Sequence, residues 1–210
     1  MARIFLCFKN LKKGGFFISM NTFNENNKSK AFSTRQVAFV GVMAAIIFIS
    51  NYIQIKIPIG FNDATRIHVA NAFCLLSGIV LGPVQGGLAA GIGSALYDVL
   101  DPVFITSAPF TFVFKFLMAF AAGLIAGKDN LNIKKSRALL AAFVGQALYI
   151  VLYIGKKFIT YVFFHKEPIN VAIGLCISSF TASLLNAVIS VVLVALLAPT
   201  FCKIIRSVHR

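Results

Sequence analysis

Six apolar runs, each bounded by polar residues or by Pro and Gly, constrain this chain more than any other feature. They cover about 35–55, 69–81, 86–100, 110–127, 138–164 and 171–202. A helix needs about 20 apolar residues to cross a bilayer. The second and third runs are short for that, and only Gly82-Pro83-Val84-Gln85 separates them, so a tight helical hairpin is expected there. The fifth and sixth are long enough to tilt or to extend past the membrane. Hydrophobic residues make up 59% of the chain and charged residues 12%, about half the ~25% usual in a soluble domain. No soluble core hides that much apolar surface, so lipid is the solvent for much of it.

The expected fold is therefore an all-α integral membrane protein. A six-helix transmembrane domain spans 35–203, between a polar tail at 1–34 and a short one at 204–210. Residues 21–30 are polar and read as disordered. The apolar pieces at 4–8 and 16–20 are too short to span, and they lack a continuous signal-peptide core and an A-x-A cleavage site. Met20, just before the polar stretch, is a candidate natural start.

Charge sets the orientation. The net charge is +14, from 20 Lys and Arg against 6 Asp and Glu. In a soluble protein this excess would suggest nucleic acid. Here the basic residues fall in loops and tails, which is a topology signal. Arg3, Lys9, Lys12, Lys13, Lys28, Lys30 and Arg35 precede or open the first run. Lys128, Lys134, Lys135 and Arg137 join the fourth to the fifth, and Lys203, Arg206 and Arg210 follow the sixth. With six spans all of these lie on one side, against Lys56, Arg66 and Lys166 on the other. The expectation is a multi-pass plasma-membrane protein with both termini in the cytoplasm.

Several chemistries lack their residues. Cys7, Cys74, Cys176 and Cys202 form no C-x-x-C pair, and His68, His165 and His209 are isolated, so neither metal nor cofactor is expected. No P-loop, dinucleotide fingerprint, H-E-x-x-H or G-x-S-x-G occurs. The chain does not read as an enzyme. If it moves something with ATP, a partner hydrolyses the nucleotide.

Ionisable groups at membrane depth cost at least a few kcal/mol unless paired or wetted. Lys115, Lys156, Lys157, Asp98 and Asp101 all converge on the outer leaflet. Either the lysines snorkel or pair with the two aspartates, or the group forms a partly charged pocket opening outward. Two polar stripes at helical spacing accompany them: Gln146, Tyr149, Tyr153, Lys156 and Thr160 in the fifth run, and Ser179, Ser183, Asn186 and Ser190 in the sixth. Such stripes glue helices together or line a cavity. In a cavity, Tyr149 and Tyr153 would stack on a flat ring while Asn186 and Lys156 bond its edge. The outer loop 56–68 carries Pro58, Gly60, Asn62, Asp63, Arg66 and His68, followed by Asn71. It is a solvated connector or a lid. The candidate substrate-binding residues are Arg66, His68, Asn71, Lys115, Tyr149, Tyr153, Lys156 and Asn186. An unpaired cluster would favour a carboxylate or phosphate; aspartates neutralising it would leave the question open. Small residues repeat at Gly87-x-x-x-Gly91 and Ala90-x-x-x-Ser94, read as internal packing. They also repeat at Ala38 and Gly41-x-x-x-Ala45, read as packing or as a docking face.

The segment 66–100 contains Leu81-Gly82-Pro83 and a Gly-rich helix ending Gly93-Ser94-Ala95-Leu96-Tyr97-Asp98; Ala108-Pro109-Phe110 opens the next helix. These features, across 34 to the C-terminus, resemble the substrate-binding S components of energy-coupling-factor (ECF) transporters, in the riboflavin-like and pyridoxine/hydroxymethylpyrimidine-like branches. The resemblance implies a water-soluble vitamin or precursor bound in an outward pocket of the outer loops and helices four to six. It implies docking, through small residues of the first helix, on a transmembrane coupling subunit that carries two ATPase subunits. Many members have Ala-x-x-x-Ala where this chain has Gly41-x-x-x-Ala45. Two other readings are a stand-alone proton-coupled secondary transporter of a small metabolite, and a membrane enzyme on lipid substrates. The chain is short and has no clear inverted repeat, and it has no reactive cluster at the interface.

Overall fold

The computed structural model describes residues 33–58, 64–127 and 133–208. Residues 1–32, which carry the expected tail and Met20, lie outside the described residues, as do Lys128, Arg210 and the loop tip 59–63 with Gly60, Asn62 and Asp63.

Six α-helices and one β-hairpin make up the described chain: α1 (Thr34–Ser50), β1 (Gln54–Pro58), β2 (Ala64–His68), α2 (Ala70–Leu81), α3 (Pro83–Leu100), α4 (Ala108–Ala126), α5 (Lys135–Ile159) and α6 (Ile169–Val208). A short 3-10 turn, Ile105–Ser107, leads into α4, and a π-helical turn, Thr160–Phe164, prolongs α5. Among the described residues, three stretches are each long and apolar enough to cross a membrane alone: Ile105–Ala126, Lys135–Phe164 and Ile169–Ile204. The 40 residues of α6 span about 60 Å, twice the hydrocarbon thickness.

At 12 residues α2 is too short to span, yet it holds the centre, packing against α1, α3, α4, α5 and α6. Ten of its residues are buried, including Asn71, Cys74, Leu75, Leu76 and Ile79. Its close fit needs glycine. A Cβ on Gly78 would overlap the Ala119 backbone of α4, and one on Gly86 of α3 would overlap the Ser77 carbonyl of α2. The turn from α2 to α3 uses Gly82 at φ 88°, a conformation costly for any side chain, and Pro83 then opens α3 where its missing N–H loses nothing. The Gly87-x-x-x-Gly91 face of α3 is internal packing, as its spacing suggests: added Cβ atoms would lie 2.9 Å from the Phe116 ring and 3.0 Å from the Phe112 ring of α4. Ala38, Gly41 and Ala45 are all exposed on α1, and a Cβ on Gly41 would meet nothing within 4 Å.

One expectation needs correction. The first apolar run does not remain helical to residue 55. At the end of α1, Ser50 Oγ and Asn51 Nδ2 both donate to the Ile47 carbonyl at 2.8 Å, and the chain leaves the helix. Gln54-Ile55-Lys56-Ile57 alternates polar and apolar, a strand period, and pairs antiparallel with β2 in the register Lys56↔Arg66. In its described part, the 56–68 loop is thus no plain solvated connector. β1 is largely exposed, whereas Thr65, Arg66 and His68 of β2 are buried.

Candidate substrate-binding site

The hairpin brings a polar strand onto α5 and α6, where every polar group needs a partner. β2 has β1 on one edge only. Asn186 of α6 serves the backbone beside it: its Nδ2 donates to the Arg66 carbonyl at 2.7 Å, and its Oδ1 accepts the His68 N–H at 2.9 Å. A primary amide offers one donor and one acceptor side by side, the same pair a neighbouring strand would present. Lys157 Nζ reaches the Ala64 carbonyl at 3.4 Å, and the Thr65 and Tyr153 hydroxyls lie 3.3 Å apart.

Ion pairs fix the hairpin to the end of α3. Arg66 Nη2 donates to Asp98 Oδ1 at 2.5 Å, and Lys56 Nζ meets Asp101 Oδ2 at 2.6 Å. Basic residues of the hairpin thus engage both aspartates. The Arg66 guanidinium also lies 4.3 Å from the centre of the Phe104 ring and 5.7 Å from that of Tyr97. Burial is the largest influence and opposes the Arg66 charge, but Asp98, by charge and hydrogen bond, together with Tyr149 and Tyr153 offsets it and raises the pKa. His68 moves the other way. Burial, then the charges of Lys115 and Arg66, hold it well below the usual histidine value, so it is neutral at pH 7.

Under the hairpin lies a cavity of about 50 Å³. Six of the eight candidate residues line it: Arg66, His68, Tyr149, Tyr153, Lys156 and Asn186. Tyr149 and Tyr153 stack on each other, 5.7 Å between ring centres and 12° between planes, as residues four apart on a helix can. Lys156 donates to Ser107 Oγ at 2.9 Å and sits 5.4 Å from the Phe110 ring centre. Asn186 reaches the cavity wall, but its amide is engaged by β2 rather than aimed at a ring edge. Asn71 and Lys115 are not in the wall. Lys115 is fully buried, donates to Asn71 Oδ1, and lies 4.1 Å from the centre of the Tyr149 ring.

Thr65, Phe104, Ser107, Lys157 and Ser183 also line the cavity. Of these Lys157 is the surprise. It is 5% exposed and sits 5.4 Å from the Tyr153 ring centre, although the stripe on α5 points to Lys156. A second, apolar groove of about 610 Å³ lies between α4 and α5, lined by Phe110, Phe114, Val151, Leu152 and Ile159 among others. It shares Ser107, Phe110, Phe114 and Lys156 with the polar cavity. Among the described residues no group of His, Cys, Asp and Glu is placed to hold a metal ion.

Two comparisons bear on this arrangement. A family model described as "ECF-type riboflavin transporter, S component" matches residues 31–203. A UPF0397 protein of Lactiplantibacillus plantarum (strain ATCC BAA-793 / NCIMB 8826 / WCFS1) is 42% identical over 66 residues, which is 31% of this chain and 34% of that protein. The chain thus spans about a third of that relative's length. With a six-helix bundle, apolar helices and a polar cavity beneath the β-hairpin, and with the family match over most of its length, the chain belongs to the ECF-type riboflavin transporter S-component family, a family of membrane-embedded substrate-binding transport components rather than enzymes.

Proposed function

We propose that this chain is the substrate-capturing subunit of an ECF-type importer, and that it binds a water-soluble vitamin or vitamin precursor beneath the β1–β2 hairpin. The observation that carries this reading is the polar, tyrosine-walled cavity closed by a strand pinned to α3, α5 and α6. Small-molecule sites usually measure about 300–1,000 Å³. A cavity of about 50 Å³ falls short of that, so loading requires it to widen, and the hairpin is the element that lifts or slides. The substrate-binding residues are Arg66, His68, Tyr149, Tyr153 and Lys156, joined by Lys157. Asn186 acts by holding the hairpin, and Asn71 and Lys115 act from behind Tyr149.

The domain at 35–203 sits in the plasma membrane, and the tails at 1–34 and 204–210 are cytoplasmic, as the distribution of Lys and Arg supports. Ala38, Gly41 and Ala45 form the docking face for a transmembrane coupling subunit that carries two ATPase subunits. Their exposure, with open space over Gly41, supports this role.

Uptake in cells tests the reading against a proton-coupled carrier. Capture for an ATP-driven partner predicts accumulation of labelled vitamin that stops on ATP depletion and survives a protonophore. Uptake by the chain alone in liposomes, driven by a pH gradient, would overturn it.

A further inference from the structure

The polar cluster around the cavity contains more buried cation than buried anion. Arg66 and Asp98 form one pair, and Asp101 is taken by the half-exposed Lys56. Lys115, fully buried on α4, has the neutral Asn71 oxygen and the Tyr149 ring as its partners, and no carboxylate among the described residues lies within 4 Å of it. A buried ammonium without a counter-charge is expensive unless an anion completes the site. Two further groups await a partner. Arg66 Nη1 and His68 Nδ1 are buried without a hydrogen bond among the described residues, and both side chains line the cavity. Arg66 gives Asp98 one terminal nitrogen and leaves the other for a second acceptor, and a guanidinium fork suits carboxylate or phosphate oxygens.

We infer that the cargo bears an anionic group, a carboxylate or a phosphate, received by Arg66 Nη1 and by Lys115 acting across the Tyr149 ring. The inference rests on the vitamin-capture reading and narrows it, because an uncharged cargo would leave the buried excess of positive charge unanswered. Tyr149 separates Lys115 from the cavity, so Lys115 acts through the field, or directly if the ring turns aside. In a site of low dielectric such a charge changes affinity for an anion by about tenfold or more.

The test works with an unidentified cargo. The full chain in lipid nanodiscs is mixed with small-molecule yeast extract, split on an anion exchanger at pH 8 into retained and flow-through fractions, and its thermal unfolding is followed. The retained fraction is expected to stabilise the protein more than the flow-through does, and Lys115→Gln to raise the amount required about tenfold. Stabilisation by the flow-through that equals or exceeds that by the retained fraction overturns the inference and leaves vitamin capture standing. Stabilisation by neither fraction removes the capture reading, and this inference with it. The comparison of fractions on the unaltered protein decides the matter even where Lys115→Gln fails to fold.

Discussion

Replacing Asn186 with alanine removes the only side chain that bonds both the Arg66 carbonyl and the His68 N–H among the described residues. Both backbone groups lie in a buried part of β2. A buried group stripped of its partner costs about 1–3 kcal/mol. Two such losses, softened as water follows a loosened hairpin, make opening easier by about 2–4 kcal/mol. At 1.4 kcal/mol per tenfold, that is about a 30- to 700-fold larger open population. Hydrogen–deuterium exchange of the full chain in nanodiscs reads this population directly at the His68 amide when reclosing is fast. Ser183→Ala is the control. Ser183 faces the same cavity, but its hydroxyl donates to the Ser179 carbonyl of its own helix at 2.8 Å. His68 exchange in Asn186→Ala within about twofold of the unaltered protein would refute the view that this amide latches the hairpin.

Three more outcomes follow from the same geometry. Asp98→Asn strands Arg66, which is 9% exposed, and should destabilise by about 3–5 kcal/mol, whereas Asp101→Asn releases the 41% exposed Lys56 and should cost about 0–1 kcal/mol; thermal unfolding in detergent ranks them, and equal losses would contradict the assignment. Gly41→Leu adds bulk where nothing lies within 4 Å, so it should change stability by less than about 0.5 kcal/mol and leave ligand binding intact. It should nevertheless prevent copurification with the coupling subunit, and a complex that still assembles would move the docking face elsewhere. His68 has a folded pKa below its unfolded value near 6.5, so below that pH the unfolded chain binds the extra proton and stability falls as pH drops, by up to about 1.4 kcal/mol per unit. His68→Gln should flatten that part of the pH profile, and an unchanged slope would locate the proton uptake at another group.

Hydropathy carried the helices because lipid imposes a length and an apolar face on each of them. It also placed the turn at Gly82-Pro83, where a positive φ and a proline leave few alternatives. Periodicity carried the α6 stripe: Ser179, Ser183, Asn186 and Ser190 are all buried. The hairpin was hidden for a physical reason. Ile53, Ile55 and Ile57 continue an apolar run whose sum is the same for helix and strand, and only the alternation with Gln54 and Lys56 marks the change. Lys156 and Lys157 differ by one residue, about 100° on a helix, and a stripe of mixed polar residues does not fix its own centre to that accuracy. Nor does spacing along the chain tell that Arg66 and Lys56 reach Asp98 and Asp101. That pairing depends on how the strand register sets the hairpin against α3.

Whether this chain captures a vitamin for an ATP-driven partner is read by native mass spectrometry of the protein, purified from its own host in mild detergent. The expected species is a complex of this chain with a coupling subunit and two ATPase subunits, carrying a small molecule of vitamin mass that leaves on activation. A lone chain without ligand, still able to accumulate substrate in liposomes under a proton gradient, would contradict it.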